Sequence, residues 1–544
     1  MRAWPVLLVL LACGSNKKFD DVPDGGDEGG FNNGDACTNT CVGNEVHACD
    51  GTVMMCDVGK GDVCSNGSCK AGCVAADEQP SNVGCEFWAV DLDNEYSQFN
   101  DAAGAPWGVV LSNASQAPAN VTIETKKGVV TTMTIAAGTL KEVILPTLEV
   151  DGSTMGKDEG PGTFVSPNAY RITSNVPLVA YQFNTMKQSF SNDASLLLPR
   201  NALGSVYRVI GWPTTNPIAP IPTPGIPDHS FVTIVGVAAQ TNVTVTLGGD
   251  IVGGGGVMAT KRGGTVKVTL DPYEVLNLES DGIPGDLTGT TVESSAPVVV
   301  FTGGERGIAP YDTPNLPKPP NYDPMQLCCT DHLEEQLLPI TSAGKKFVVA
   351  RSPVRSKGWT EPDILRFQGL AQTVTIQTNL PPPDNVFTLK AGEMRETWTV
   401  TDFTATGNAP FAIAQILVSQ GYTSNYDVGG DPSLTIFPPV DQYRADYLFL
   451  VPTSWMKNVV ALSVPDGGTV AIDGKPLGSC DMASAGMVDG TPYTAQRCVV
   501  SEGVHRLQGN KPFGLVAYGY GPVGSYAFVG GADVKKIYEP PPLH

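Results

Sequence analysis

Four times along this chain the same phrase returns: YRITSNVPLVAYQ from Tyr170 to Gln182, TVESSAPVVVFTG from Thr291 to Gly303, FTATGNAPFAIAQ from Phe403 to Gln415, and HRLQGNKPFGLVA from His505 to Ala517. Each is a short polar turn, a proline and then an apolar run. The prolines Pro177, Pro297, Pro410 and Pro512 stand 120, 113 and 102 residues apart, so most of the chain consists of four copies of one module of roughly 110 residues. A chain of 544 residues exceeds a single hydrophobic core, and four modules lie within the range expected for that length.

Each module fills with the same kind of segment. NVTIET at Asn120 to Thr125, NVTVTL at Asn242 to Leu247, TVTIQT at Thr373 to Thr378 and TVAIDG at Thr469 to Gly474 alternate apolar and polar residues, as half-buried strands do. A second family of segments aligns without a gap: Pro199 with Pro339, Gly204 with Gly344, and Tyr207 with Phe347. The best short helical candidate is DHLEEQLL at Asp331 to Leu338. The body is therefore expected to be all-β. Seven to nine short strands per unit suit tandem β-sandwich-like modules, about four pseudo-repeats following a small disulfide-rich N-terminal module. A β-propeller-like arrangement is the alternative.

The N-terminus sets the compartment. Met1-Arg2, the apolar run Ala3 to Leu11 and Leu10-Leu11-Ala12-Cys13 resemble a lipoprotein signal whose lipobox cysteine is Cys13. Such a run is too short to span a hydrocarbon core of about 30 Å, so the expected anchor is an acyl chain on Cys13. No Asp follows Cys13, which points to the outer membrane and the cell surface, with a periplasm-facing position as the alternative.

The other twelve cysteines are expected to be oxidised in an exported chain. Eight cluster at Cys37, Cys41, Cys49, Cys56, Cys64, Cys69, Cys73 and Cys85, and Cys328, Cys329, Cys480 and Cys498 lie downstream. Between Cys37 and Cys73 large apolar residues are too few for a core, so bridges must hold the fold together, with Cys85 as the nearest outside partner. Cys480 with Cys498 closes a loop in the fourth unit, and separate partners are expected for the adjacent Cys328 and Cys329. The resulting division is 1–13 signal, 14–36 acidic Gly-rich tether, 37–83 disulfide module, and β modules at 84–194, 195–308, 309–440 and 441–544.

The segments SNVPLVAYQFN (Ser174 to Asn184), DHLEEQLLP (Asp331 to Pro339), YLFLVPTSWMKNVVALSVPDGGTVAIDG (Tyr447 to Gly474) and AYGYGPVGSYAFVGG (Ala517 to Gly531) together resemble the IgGFc-binding protein N-terminal domain family over roughly Gly84 to Val534. That resemblance implies an extracellular binding or structural module, and it brings no catalytic residues with it.

Motifs for chemistry are few. The sequence has no G-x-S-x-G elbow, Walker loop, H-E-x-x-H or EF-hand loop. A formal charge of −21 without a basic stripe sets nucleic acid aside as a partner. The five histidines, His47, His229, His332, His505 and His544, are scattered. Asp331, His332, Glu334 and Glu335 are read as acidic decoration of one turn, with Leu333, Leu337 and Leu338 packing inward, and a metal site built from the four is the alternative. Asp91, Asp93 and Glu95 alternate as calcium ligands do, although a solvated loop is the expected setting; calcium is the one cofactor the sequence leaves open. Trp88, Trp107, Trp212, Trp359, Trp398 and Trp455 are read mainly as packing residues, with sugar stacking as the second role. The expectation is a non-enzymatic surface lipoprotein. It would be held to the membrane by lipid and would bind extracellular polysaccharide, glycoprotein or envelope protein. A polysaccharide- or glycoprotein-active hydrolase and a purely structural envelope component are the alternatives.

Overall fold

The computed structural model describes residues 37–96, 102–153, 162–186, 191–214, 228–320, 322–323, 328–453 and 455–543. Cys13, the tether and His544 lie outside the described residues. The body is all-β, and each module is built from two sheets, which in modules 1, 2 and 4 share one long strand.

The repeated phrase is the place where that strand changes sheets. In module 1, Ala169–Asn184 first pairs with Gly84–Val90 and Ala119–Thr125, then, past a register shift between Thr173 and Leu178, with Gly108–Ser112 and Asp193–Leu197. Thr291–Gly307 in module 2 and Gly503–Tyr520 in module 4 repeat this with their own shifts. Proline has no N–H for the ladder, so pairing breaks there and the strand turns the corner between sheets. In module 3 the interruption is complete: Phe403–Gly407 and Phe411–Ile416 are separate strands in separate four-stranded sheets. Tyr207 fastens the module 2 corner, accepting a hydrogen bond from Gly204 N (2.8 Å) and donating one to Val298 O (2.8 Å). Tyr447 does the same between Arg444 N and Phe513 O. Phe87 and Phe347 hold the equivalent positions in modules 1 and 3.

The apolar run after each proline is buried on both faces because the modules close into a ring. Val299 and Phe301 pack with Phe87, Trp107 and Tyr170 of module 1, while their neighbours Val298 and Val300 pack with Ile364, Ile416 and Leu434 of module 3. Module 3 shares a core with Val516, Tyr518 and Tyr520 of module 4. Leu515, Ala517 and Phe528 of module 4 share one with Val110, Val179, Tyr181 and Phe183 of module 1. Alternate side chains of one strand thus serve two inter-module cores, which yields a continuous apolar run instead of an alternating one. At the ring's seam Asn82 N donates to Ala532 O (2.9 Å) and Val534 N donates to Pro80 O (3.1 Å). The modules are thus sandwich-like units, and their order in space is cyclic, as in the propeller alternative.

Strand pairing places the module limits later than 194 and 308. The expected cut at 194/195 passes through Asp193–Leu197, and Asp331–Gln336 pairs with the long strand of module 2. At successive joints Gly84, Gly204 and Gly344 lie against Pro199, Pro339 and Pro439, where a Cβ would come within 2.4, 2.4 and 2.5 Å of the proline Cβ. The Pro199/Pro339 and Gly204/Gly344 alignment in the sequence therefore records a joint between modules.

Outside the ring, the disulfide module pairs Cys37 with Cys49, Cys41 with Cys64, Cys56 with Cys69, and Cys73 with Cys85. Its short helix Gly72–Glu78 docks on the module 1 corner: a Cβ on Gly72 would lie 2.8 Å from Pro177, and Asn201 Nδ2 donates to Ala76 O (2.7 Å). Cys480 and Cys498 face each other in register across Cys480–Val488 and Thr491–Val499 and are bridged. That pairing leaves Cys328 and Cys329 without a distant partner, and they are joined to each other, contrary to the expectation of separate pairing.

Candidate functional site

Four short strands line the middle of the ring: Asp193–Leu197, Asp331–Gln336, Leu434–Ile436 and Ser525–Val529, one from each module and each in contact with the next. The helix expected at DHLEEQ is one of these strands. Its acidic residues are buried, not solvated, because every face of a central strand meets another module. Buried carboxylates need donors. Asp193 accepts from Ser433 Oγ (2.7 Å) and Leu434 N (3.1 Å) of module 3. Asp331 accepts from Asn192 N (2.5 Å) and from Ser525 N of module 4 (3.2 Å). Asp431 accepts from Gln420 N (3.0 Å) and Cys329 N (3.2 Å), and Gln182 Nε2 donates to Glu334 (3.2 Å). Apart from the Gln420–Asp431 bond, which lies within module 3, the bonds of Asp193, Asp331 and Glu334 run between modules, so the seam specifies how the four copies are registered.

Burial dominates the titration of this seam. It pushes the carboxyls of Asp193, Asp331 and Glu335 well above the carboxylate range, Glu334 up to about 8 and Asp431 up to about 7. His332 is fully buried, and burial lowers it to about 3, so its imidazole is neutral. Its Nε2 lies 3.6 Å from Glu334. A cavity of about 20 Å³ remains among Leu196, Glu335, Gln336, Ile436 and Val529, room for about one water. The seam is too closed to admit a polymer substrate.

The expected calcium loop is also interior. Asp91 accepts from Leu148 N (3.0 Å), and burial, with Glu149 nearby, raises its carboxyl well above the usual range. Glu95 is buried against Arg306 (2.7 Å), and burial still pushes it up to about 7. Arg306 also binds Asp228 (2.6 Å), so the loop is an element of a charged core network in place of the solvated hairpin expected. Asp93 is buried beside it.

Among the histidines, His47 meets Glu45 (3.0 Å), and His505 bonds Asp473 (2.8 Å). His229, set aside as isolated in sequence, stands beside Glu279 and Glu305, with one ligand-type atom of each within 4.8 Å of the others. The dipeptide Asp-His at Asp228-His229 and again at Asp331-His332 was the available signal for both buried histidines.

The accessible surface carries two open grooves. One, about 650 Å³, lies between the disulfide module and the ring and is lined by Glu78, Gln79, Pro177, Arg444, Asp533 and Lys535. The other, about 460 Å³, crosses module 3 and is lined by Pro381, Pro382, Pro383, Asp384, Arg395 and Trp398. Pro381 to Pro383 are exposed, and Asp384 is fixed by Arg395 Nη2 (2.6 Å) and Thr397 Oγ1 (2.7 Å). Trp88, Trp107 and Trp212 are core residues, Trp359 packs half-buried on the core between modules 2 and 3, and Trp455 lies against Tyr526 (5.0 Å between centroids). Among the tryptophans of the described residues, Trp398 is the one that lines either of these grooves.

The family described as IgGFc binding protein matches residues 193–519. The human IgGFc-binding protein is 25% identical over 421 residues, which is 77% of this chain but 7% of the human protein. The chain thus spans less than a tenth of that relative's length. No solved structure matches.

Proposed function

This chain belongs to the IgGFc-binding protein family, and from that premise we propose that it is a non-enzymatic lipoprotein of the cell surface that holds an extracellular protein, glycoprotein or matrix polymer in the module 3 groove. The observation that carries the reading is the groove itself. Three exposed prolines and the Trp398 ring form a shallow, preformed apolar floor, with the Asp384–Arg395 pair as its polar edge. The two sheets behind it are fixed in the ring, so binding does not require ordering the scaffold. The human relative's name, which speaks of IgG Fc, supports a protein ligand as the first class to try. The carboxylates that line the grooves, Glu78, Asp533, Asp384 and Glu396, are each held in an ion pair, and the strongly raised carboxyls lie in the interior; both favour binding over hydrolysis.

Acylation of Cys13 would hold the ring at the outer membrane through the tether and the disulfide module. Palmitate labelling of the wild type, lost in Cys13→Ala, is the expected result; an unlabelled wild type refutes the anchor. For the groove, the full chain is screened against immunoglobulin Fc, other glycoproteins and polysaccharides, with turnover assayed in parallel. Saturable binding weakened at least about tenfold by Trp398→Ala, at an unchanged unfolding midpoint, is expected, as for loss of an aromatic anchor. Reproducible turnover, abolished by a carboxylate substitution, would overturn the non-enzymatic reading.

A further inference from the structure

Three adjacent strands of module 2 end at one point. His229 immediately precedes Ser230–Gly236, Glu279 ends Val275–Glu279, and Glu305 lies near the end of Thr291–Gly307. Their register places Phe231 opposite Glu279 and Ser230 opposite Gly304, so the three side chains are neighbours by construction of the sheet. Sites carried on paired strands are held more precisely than sites on loops.

The protonation of His229 is fixed by its surroundings. Nδ1 lies 2.6 Å from the carbonyl oxygen of Ser280, a contact that only a protonated Nδ1 can make. Nε2 in the neutral ring therefore carries the lone pair, and it faces Glu279 Oε2 at 3.9 Å with the residue only 7% exposed. A lone pair facing a carboxylate oxygen is the arrangement that a bound cation turns into two ligand bonds.

The other ligand-type groups are equally constrained. Glu305 Oε1 accepts from His229 N (2.7 Å), and Glu279 Oε1 accepts from Asn277 Nδ2 (2.9 Å). Asn277 is itself held by Thr233 Oγ1 (2.6 Å). This is the outer support that metal ligands characteristically have: an imidazole whose other nitrogen donates to a carbonyl, and carboxylates that are themselves hydrogen-bonded. Beside Glu279, Gly162 has φ +83°, and a Cβ there would lie 1.8 Å from Oε2. Only a glycine lets the backbone pack that close to the carboxylate, so Gly162 helps to hold Glu279 in place.

We propose that His229, Glu279 and Glu305 bind one first-row divalent metal ion, of which Zn²⁺ is the best match. One imidazole nitrogen with two carboxylate oxygens is a donor set for zinc, while Ca²⁺ and Mg²⁺ prefer all-oxygen shells. The ion would clamp the ends of three strands beside the joint with module 1, leaving a coordination position for water. This site is independent of the module 3 groove.

The test uses the full chain in detergent, freed of metal by chelation and titrated with ZnCl₂ by calorimetry and with CoCl₂ by visible absorption. One Zn²⁺ per chain and cobalt ligand-field bands are expected, with affinity at least 100-fold lower in both His229→Ala and Glu305→Gln. Gly162→Ala, whose Cβ would push Glu279 out of place, is expected to weaken the same binding, whereas unchanged affinity in that variant would overturn the role of Glu279. A wild type that takes up no stoichiometric Zn²⁺ or Co²⁺ overturns the proposal whatever the variants do. Equal uptake by folded wild type and both ligand variants also overturns it.

Discussion

From Cys37 to Cys85 the chain carries eight cysteines in four bridges, and few of its large side chains are buried: Val42, Val53, Met54 and Met55 are all exposed. From Gly84 to Val534 the proportions reverse. Four apolar cores run from module to module, and the bridges there are one cross-strand pair and one between neighbouring residues. The difference teaches where each region's stability resides. The disulfide module is too small for a core, so its covalent links restrict the unfolded chain. The ring obtains its stability from apolar area that exists only when neighbouring modules are assembled, so its modules depend on one another.

The comparison breaks most readily at the ring's closure. Tyr181 of module 1 packs on Phe528 of module 4 (4.8 Å between centroids) and donates to Gly530 O (2.8 Å). Tyr181→Ala is expected to destabilise the whole ring by about 3–5 kcal/mol, as large-to-small changes at buried aromatics do. Denaturant unfolding followed by tryptophan fluorescence checks this, and a loss below about 1 kcal/mol would show that the modules stand alone. Removing Cys73–Cys85, whose partners are 12 residues apart, should cost about 3 kcal/mol locally. The expected signature is rapid hydrogen exchange and proteolysis within 37–83 with the ring's midpoint unchanged. A coupled fall of both would sharpen the comparison by assigning the docking at Pro177 a share in ring stability.

The smallest effect, up to about 2 kcal/mol between pH 6.5 and 8, follows the titration of the ring's buried seam. Glu334 is held at about 8 by burial, above its value in an unfolded chain, so between about pH 4.5 and 8 the folded state holds a proton that the unfolded state has released. Its contribution to stability is therefore complete at low pH and falls as pH rises, by up to about 1.4 kcal/mol per pH unit. His332, lowered to about 3, acts in the opposite sense between pH 3 and about 6.5, because there the unfolded imidazole binds the extra proton. The window from pH 6.5 to 8 thus excludes the imidazole, and the comparison with Glu334→Gln separates Glu334 from the other raised carboxyls, Glu95 and Asp431 among them. Glu334→Gln should match the wild type near pH 5 and gain on it towards pH 8, in midpoints measured by circular dichroism. Parallel pH profiles would show that Glu334 does not ionise within the folded ring.

Much of this architecture was legible in the sequence because the repeat records local physics. A proline after a polar turn breaks a ladder wherever it occurs, and the apolar run behind it marks a strand buried on both faces. The Gly/Pro alignment was visible too, although its role at the joints was not. What escaped were properties created by closure. DHLEEQ is polar enough for a solvated turn, and nothing local says that Asp331 will meet an amide of module 4 more than 190 residues away. His229 looked isolated because Glu279 and Glu305 approach it through strand pairing, at separations of 50 and 76 residues. Separate partners were expected for Cys328 and Cys329 because adjacent cysteines are awkward to bridge, although the expected Cys480–Cys498 pair already left them no other downstream partner.

The seam where residues 80–83 meet 532–534 has a topological consequence. Each module shares an apolar core with one predecessor and one successor, and the first is the successor of the last, so the ring has no privileged starting point. A circularly permuted chain, joined across that seam by a short linker and opened instead at the joint between Pro339 and Gly344, keeps all four inter-module cores. Module order in this fold is a cycle, and the chain enters that cycle at one of four equivalent joints.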